Sequence, residues 1–295
     1  QHYQLSSVVE DGPITIALPN GQQWTPQNFS RESYGRVPLY QAMARSYNQA
    51  TARLGMELGV SNVVRTLKRA GLTKNLDAYP SLLLGAVALS PFEVSHLYHT
   101  LAADGVYTPL RAIRSVLDAS HSPLKRYPLS SEPRFSAEHA HLIHYALQAS
   151  VRNGTGRSIY HLLPQELALA GKTGTSNQQR DSWFAGYSGD HLAVVWVGND
   201  DNKPTPFTGS SGALPVWTSL FQQLTTTSVA QTAPSAIEYY WMDSASGLRS
   251  AEGCAGAQLM PFIAGTQPQA FVDCDLARPS VKGWFKRWLQ PKNRS

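Results

Sequence analysis

Cysteine is almost missing from this chain: Cys254 and Cys274 are the only two in 295 residues. Two are too few for a disulfide-stapled scaffold or a four-ligand zinc site, and on that count reducing and oxidising compartments both stay open. Charge is sparse as well. Asp, Glu, Lys and Arg make up 15% of the residues against 42% hydrophobic, which excludes a disordered polyelectrolyte and leaves apolar side chains enough for a sizeable core. No apolar run reaches the roughly 20 residues that cross a bilayer. The first residue is Gln1 in place of methionine, which reads as a fragment or a processed product. A His-Glu-x-x-His pattern is lacking too. His139, His141 and His144 recur on one segment and His96 and His99 on another, but without that pattern or a cysteine cluster they read as solvated or capping histidines. No metal and no other cofactor is expected. The formal net charge of +5 points to anionic partners such as cell-wall polymer, phospholipid head groups or nucleic acid.

What is present centres on Leu167-Ala168-Leu169-Ala170-Gly171-Lys172-Thr173-Gly174-Thr175-Ser176. A short apolar run delivers a lysine, two threonine hydroxyls and a glycine in four consecutive positions, which reads as a buried strand whose end carries chemistry. Side chains alternate along a strand, so Thr173 and Thr175 share one face and Lys172 and Gly174 the other, with glycine leaving room for a second backbone. That is a slot for an extended peptide or an acyl group: the strand edge pairs with the peptide backbone, the hydroxyls hold a carboxylate, and the lysine supplies a positive field. Asp181-Ser182-Trp183-Phe184-Ala185-Gly186-Tyr187 and Leu192-Ala193-Val194-Val195-Trp196-Val197-Gly198 follow as two more strands around the turn Ser188-Gly189-Asp190. The three make an antiparallel sheet with the lysine strand at one edge.

The earlier elements are mainly helical. A strand at residues 13–18 turns at Asn20-Gly21. A helix starts around Pro38-Leu39, breaks at Ser46-Tyr47-Asn48, and resumes through Leu54 to Leu58. Ser61-Asn62 caps a helix ending at Gly71. Ser90-Pro91-Phe92-Glu93 is a capping box opening a helix to about Asp104. Residues 113–118 and 124–127 form a small hairpin, and a long helix runs from Ser136 to Asn153-Gly154 with Ala140, Ile143, Leu147 and Val151 on one face. A last amphipathic helix, residues 213–224, turns Leu214, Trp217, Leu220 and Phe221 toward the sheet. Helices first and antiparallel strands after them indicate an α+β fold, an antiparallel sheet packed between helices. Beyond Thr225 the composition shifts to Thr, Ser, Ala, Gln and Pro, which divides the chain into a main domain, residues 1–225, and a small appendage, residues 226–295.

Lys172-Thr173-Gly174-Thr175 followed by Asp181-x-Trp183-Phe184-x-Gly186 resembles the third active-site motif of penicillin-recognising acyl-serine enzymes, and Ser46-Tyr47-Asn48 resembles their Ser-x-Asn motif. The stretches 20–28, 82–94 and Gly154-Thr155-Gly156-Arg157 narrow the likeness to the transpeptidase domain of bifunctional class A penicillin-binding proteins, best the 1b type of Gram-negative bacteria. It covers the chain to about Leu224 and, more loosely, the cysteine-bearing tail. One departure matters most. The family nucleophile lies in a Ser-x-x-Lys motif expected shortly before Gln1, and the sequence holds no credible copy: Ser122-Pro123-Leu124-Lys125 fits literally but falls after the Ser-x-Asn motif, in a hairpin.

The resemblance implies the penicillin-binding, β-lactamase-like transpeptidase fold and a D,D-transpeptidase. The missing serine would attack the carbonyl of a D-alanyl-D-alanine stem peptide, release D-alanine, and pass the acyl group to an amine on a neighbouring strand. Ser46, Asn48 and Lys172 would be catalytic: Ser46 relaying a proton, Asn48 orienting the motif lysine and the substrate amide, Lys172 supplying positive field. Thr173, Gly174 and Thr175 would bind substrate, with the Thr175 N–H in an oxyanion hole. It further implies β-lactams as ligands, cell-wall regulatory proteins as partners, no nucleic acid, a glycosyltransferase domain and membrane anchor in the full-length protein, a place at the periplasmic face of the inner membrane, and a Cys254–Cys274 disulfide. This chain alone is expected to be inactive. The other readings are a D,D-carboxypeptidase, for which no motif holding a deacylating water is evident, and a non-catalytic peptidoglycan-binding or scaffolding module. Asp181 reads as a structural partner of the lysine strand. In the tail, Lys282, Lys286, Arg287, Lys292 and Arg294 interleave with Trp284, Phe285 and Trp288, a solvated terminal helix with an aromatic face docked on the domain.

Overall fold

The described elements before Leu39 are short strands. The computed structural model describes residues 3–273 apart from Pro19 and Gln231, so Cys274 and the basic aromatic tail lie outside the described residues. β1 (Val8–Asp11), β2 (Ile16–Ala17), β3 (Gln23–Trp24) and β4 (Gly35–Pro38) form two antiparallel pairs, β1 with β4 and β2 with β3. Pro38, extended at φ −64° and ψ 145°, is the N-cap of α1 (Leu39–Arg45), one residue before the helix it was expected to open. The break at residue 46 is there: Ser46 adopts the left-handed conformation, φ 58° and ψ 48°, and α2 (Asn48–Leu58) restarts two residues on. α3 (Val60–Arg69) begins before the expected Ser61-Asn62 cap, because Gly59 at φ 86° makes the turn from α2 without the steric cost a side chain meets there.

α4 (Pro91–Ala102) carries the full capping box between Ser90 and Glu93. It leads to β5 (Val106–Tyr107), the hairpin of β6 (Ser115–Leu117) with β7 (Pro123–Arg126), and β8 (Glu132–Pro133), which pairs with β5. α5 (Ala137–Arg152) starts at Ser136, whose hydroxyl accepts from the His139 N–H. Its Ala140, Leu147 and Val151 are buried as the helical spacing requires.

β9 (Ala170–Thr175), β10 (Asp181–Tyr187) and β11 (Leu192–Gly198) form an antiparallel sheet in the order β11-β10-β9, which leaves β9 at an edge among the described strands. α4 and α5 pack on one side, and α6 (Ala213–Phe221) covers the other. The register pairs Thr173 with Phe184 and Lys172 with Ala185. Phe184 meets the Trp217 ring edge-on at 5.1 Å on the α6 side, while Tyr187 reaches His144 of α5 on the other. Lys172 therefore belongs to the α5 face and the two threonines to the α6 face, the alternation the sequence predicts. Trp217 and Phe221 are fully buried and stacked at 3.6 Å. Leu220, expected on the packed face, is 45% exposed, because a nine-residue helix buries only the stripe that faces the sheet.

Past Thr225 the chain returns to the body. Val229 N–H donates to the Ala168 carbonyl at 2.9 Å, and a hairpin of β12 (Ile237–Asp243) with β13 (Ala257–Ile263) lies on α1 and α5. Met242, Met260 and Phe262 share a core cluster there with Tyr40 and Ala146. Among the described residues no helix is long and apolar enough to cross a membrane.

Candidate active site

Two distant segments meet where α1 ends. β9 presents Lys172, and its ammonium donates to Ser46 Oγ and, at 3.1 Å, to the Thr173 carbonyl. Ser46 reaches this position through its left-handed backbone, a conformation that costs a residue with a Cβ about 1–2 kcal/mol and persists where the surroundings impose it. Both side chains are half-buried. Burial pushes the Lys172 ammonium down to about 8, since loss of water disfavours the charged form. A lysine whose hold on its proton is weakened in this way, beside a hydroxyl, is suited to proton relay.

The rest of the strand is held from two sides. Thr173 Oγ1 and Thr155 Oγ1 share a hydrogen bond of 2.5 Å, and the Thr155 N–H donates to the Ala44 carbonyl at 3.2 Å, tying this turn to the end of α1. Gly154 makes the approach possible: a Cβ there would stand 2.1 Å from the Ala44 carbonyl oxygen. At the far end, Thr175 Oγ1 accepts from the Gly209 N–H at 2.9 Å. Gly209 lies flat against the strands, where a Cβ would come within 2.5 Å of the Gly174 carbonyl oxygen. The outcome is a strand at the sheet edge among the described strands, carrying a lysine, two hydroxyls and a side-chain-free position, the kind of edge on which an extended chain can pair.

Ser46, Lys172 and Thr173 thus come together, with Gly174 and Thr175 continuing along β9. Asn48 stands apart from the lysine in its bonding: its Nδ2 donates to the Gln27 carbonyl at 2.7 Å. Thr155 and Gly209 were not foreseen as site residues. Thr155 sits in a stretch, 154–157, that carried the family resemblance without a role, whereas nothing local marks Gly209.

Asp181 partners the end of the lysine strand through its backbone, exchanging hydrogen bonds with Ser176, while its carboxylate accepts from Trp196 Nε1 of β11 at 2.9 Å. The histidines need a correction. Reading all the histidines as solvated or capping fails at His144, which is 5% exposed and bridges Tyr187 Oη at 2.9 Å and Asp104 Oδ1 at 3.1 Å. His139 does sit at a cap, against Ser136 Oγ. Among the described residues no His, Cys, Asp and Glu gather as a metal would require. Cys254 is buried and is not a free thiol; Cys274, its expected partner, lies outside the described residues.

Residues 5–222 match the family described as the penicillin binding protein transpeptidase domain. The chain is 43% identical over 220 residues to penicillin-binding protein 1B of Vibrio cholerae, covering 73% of this chain and 28% of that protein. Against penicillin-binding protein 1B of Escherichia coli K12 the identity is 41% over 218 residues, 73% of this chain and 26% of that one. It therefore spans less than a third of the length of these relatives. The crystal structure of penicillin-binding protein 1A from Haemophilus influenzae superimposes with a TM-score of 0.83 at 25% identity, covering 91% of this chain and 46% of that one.

Proposed function

The chain belongs to the penicillin-binding protein transpeptidase domain family, and from that membership we propose that it is the greater part of a D,D-transpeptidase domain that cross-links peptidoglycan stem peptides through an acyl-serine intermediate. The observation that carries the reading is the Lys172–Ser46 hydrogen bond beside the open edge of β9. The nucleophilic serine and its motif lysine are supplied by sequence outside these residues. The serine attacks the penultimate D-alanyl carbonyl of a stem peptide, the C–N bond to the terminal D-alanine breaks, and the leaving amine takes a proton relayed through Ser46. Lys172 keeps that hydroxyl polarised, Asn48 orients the substrate amide and the motif lysine, and Thr173 and Thr175 hold the terminal carboxylate with Gly174 admitting the peptide backbone. An amine from a neighbouring strand then takes the acyl group.

β-Lactams acylate the same serine because they present a strained amide and a carboxylate to the same groups. The longer protein also carries a peptidoglycan glycosyltransferase and a membrane anchor that places this region at the periplasmic face of the inner membrane, where it works with cell-wall regulatory proteins. Residues 1–225 form the transpeptidase body, and residues 226–295 are a small appendage whose described hairpin, β12 with β13, lies on α1 and α5. The test is the intact mass after incubation with benzylpenicillin, on this chain and on the same chain extended upstream to restore the preceding segment. A covalent adduct on the extended form alone is expected. An adduct on neither favours a non-catalytic peptidoglycan-binding module, and an adduct on residues 1–295 alone places the nucleophile elsewhere.

A further inference from the structure

α2 has no cap of its own. Tyr47 precedes it without a side-chain acceptor, yet the first N–H groups of a helix find no partner inside it. The partners come from two remote segments. Asn28 Oδ1 accepts from the N–H of Asn48 at 2.6 Å and of Gln49 at 3.3 Å, and Asp11 Oδ1 accepts from the Ala50 N–H at 3.1 Å. The two caps are linked, since Asn28 Nδ2 donates to Asp11 Oδ2 at 2.6 Å. That oxygen also accepts from the Tyr34 N–H at 3.0 Å.

Donors and acceptors match throughout. The Asn28 amide must turn its nitrogen toward Asp11 and the Glu32 carbonyl, 2.9 Å away, and its oxygen therefore faces the helix. Asp11 is fully buried and Asn28 is 4% exposed, so the set is shielded from water, where a missing partner is costly. The same loop grips the preceding turn: the Tyr34 and Tyr47 rings stack at 4.4 Å, and the Gln27 carbonyl holds the Asn48 side chain. Residues 47–50 are thus fixed from outside their own helix. Ser46 is the next residue back, in its left-handed conformation, with its hydroxyl on Lys172.

We propose that Asp11 and Asn28 are positioning residues of the acyl-transfer site: their buried carboxylate–amide pair caps α2 and so holds the turn of Ser46 and Asn48 against Lys172 of β9. The proposal rests on the function assigned above. A stability cap alone needs only a Ser, Asp or Asn at position 47. Here a buried carboxylate and amide from two other segments are spent on the one helix start that follows Ser46.

The experiment measures acylation of the upstream-extended protein by a fluorescent penicillin, separating the rate constant at saturation from the half-saturating concentration, with circular dichroism to establish folding. Asn28→Ala strands the N–H groups of Asn48 and Gln49; Asp11→Asn keeps the shape but turns a donor toward Asn28 Nδ2 or the Ala50 N–H. Each is expected to lower the rate constant about tenfold or more, with the half-saturating concentration within about threefold. Ser33→Ala removes a 2.7 Å hydrogen bond to Gln49 on the same helix without touching the cap, and should stay within about twofold. Folded Asn28→Ala and Asp11→Asn proteins with unaltered rate constants overturn the proposal, as does an equal loss in Ser33→Ala. Should Asn28→Ala not fold, Asn28→Ser, which keeps a short acceptor, is read by the same criterion: a reduced rate constant supports the proposal and a parental one overturns it. Lys172→Ala, run in parallel, separates the failures. A normal rate there sinks the assigned function, whereas a collapse there with unaltered cap variants sinks only this inference.

Discussion

Lys172, the residue proposed above to act through Ser46, is held at a cost to stability. Its ammonium is brought down to about 8 from 10.5 by burial, so between those values the unfolded chain binds the extra proton that the folded chain releases. Stability therefore rises with pH across that window, and below it the desolvation cost is present in full. Replacing the residue by a nonpolar side chain of similar length removes that cost. Lys172→Met is expected to have a higher thermal midpoint than the parent at pH 7, with the gap closing as pH rises from about 8 to 10.5; melting curves at those pH values check it. The lysine was legible in sequence because it stands in a compact run of four residues whose alternation is read off directly. Its partner was harder. Ser46 marks a helix break on sequence grounds, but its left-handed backbone, φ 58° and ψ 48° at the end of α1, is a conformation that sequence signals mainly through Gly or Asn, and a serine there gives no such sign.

At the scale of elements, periodicity served best where one face is buried. The face each side chain of the three strands takes follows from alternation, their order from the short connections between consecutive strands, and α4 and α5 start where their caps predict. Long-range loop contacts left no such signal. Gly209 lies in a Thr-Gly-Ser-Ser-Gly stretch that reads as an ordinary turn, yet it packs on β9 and β10 so closely that a Cβ would stand 2.7 Å from the Trp183 carbonyl oxygen. Gly209→Ala should push this loop away from Thr175 and cost about 1–3 kcal/mol by overpacking. The measurements are a thermal midpoint and benzylpenicillin labelling of the upstream-extended protein. A lowered midpoint with weaker labelling is expected, and unaltered values for both contradict the packing argument. The Asp11–Asn28 cap was illegible for the same reason: a helix capped from another segment shows no capping residue at its own start.

Over the whole molecule, the site depends on pieces remote in sequence. Ser46 closes α1, Lys172 rides on β9, and α5 packs against both elements. α1 and α5 are buttressed in turn by the hairpin past Thr225: Tyr145 Oη donates to the Leu259 carbonyl at 2.9 Å, and Tyr40 Oη to Gln258 Oε1 at 2.5 Å. A composition shift marked that hairpin as an appendage, but composition carries no information on where a segment docks. The central claim is that this assembly is the acyl-transfer centre of a transpeptidase, with Lys172 acting through Ser46. Its most direct test is the acylation rate constant of the upstream-extended protein with benzylpenicillin, compared with its Lys172→Ala variant under conditions where both are folded. A fall of about 100-fold or more is predicted, the scale of a lost proton-transfer group; a variant acylated at the parental rate would contradict the account.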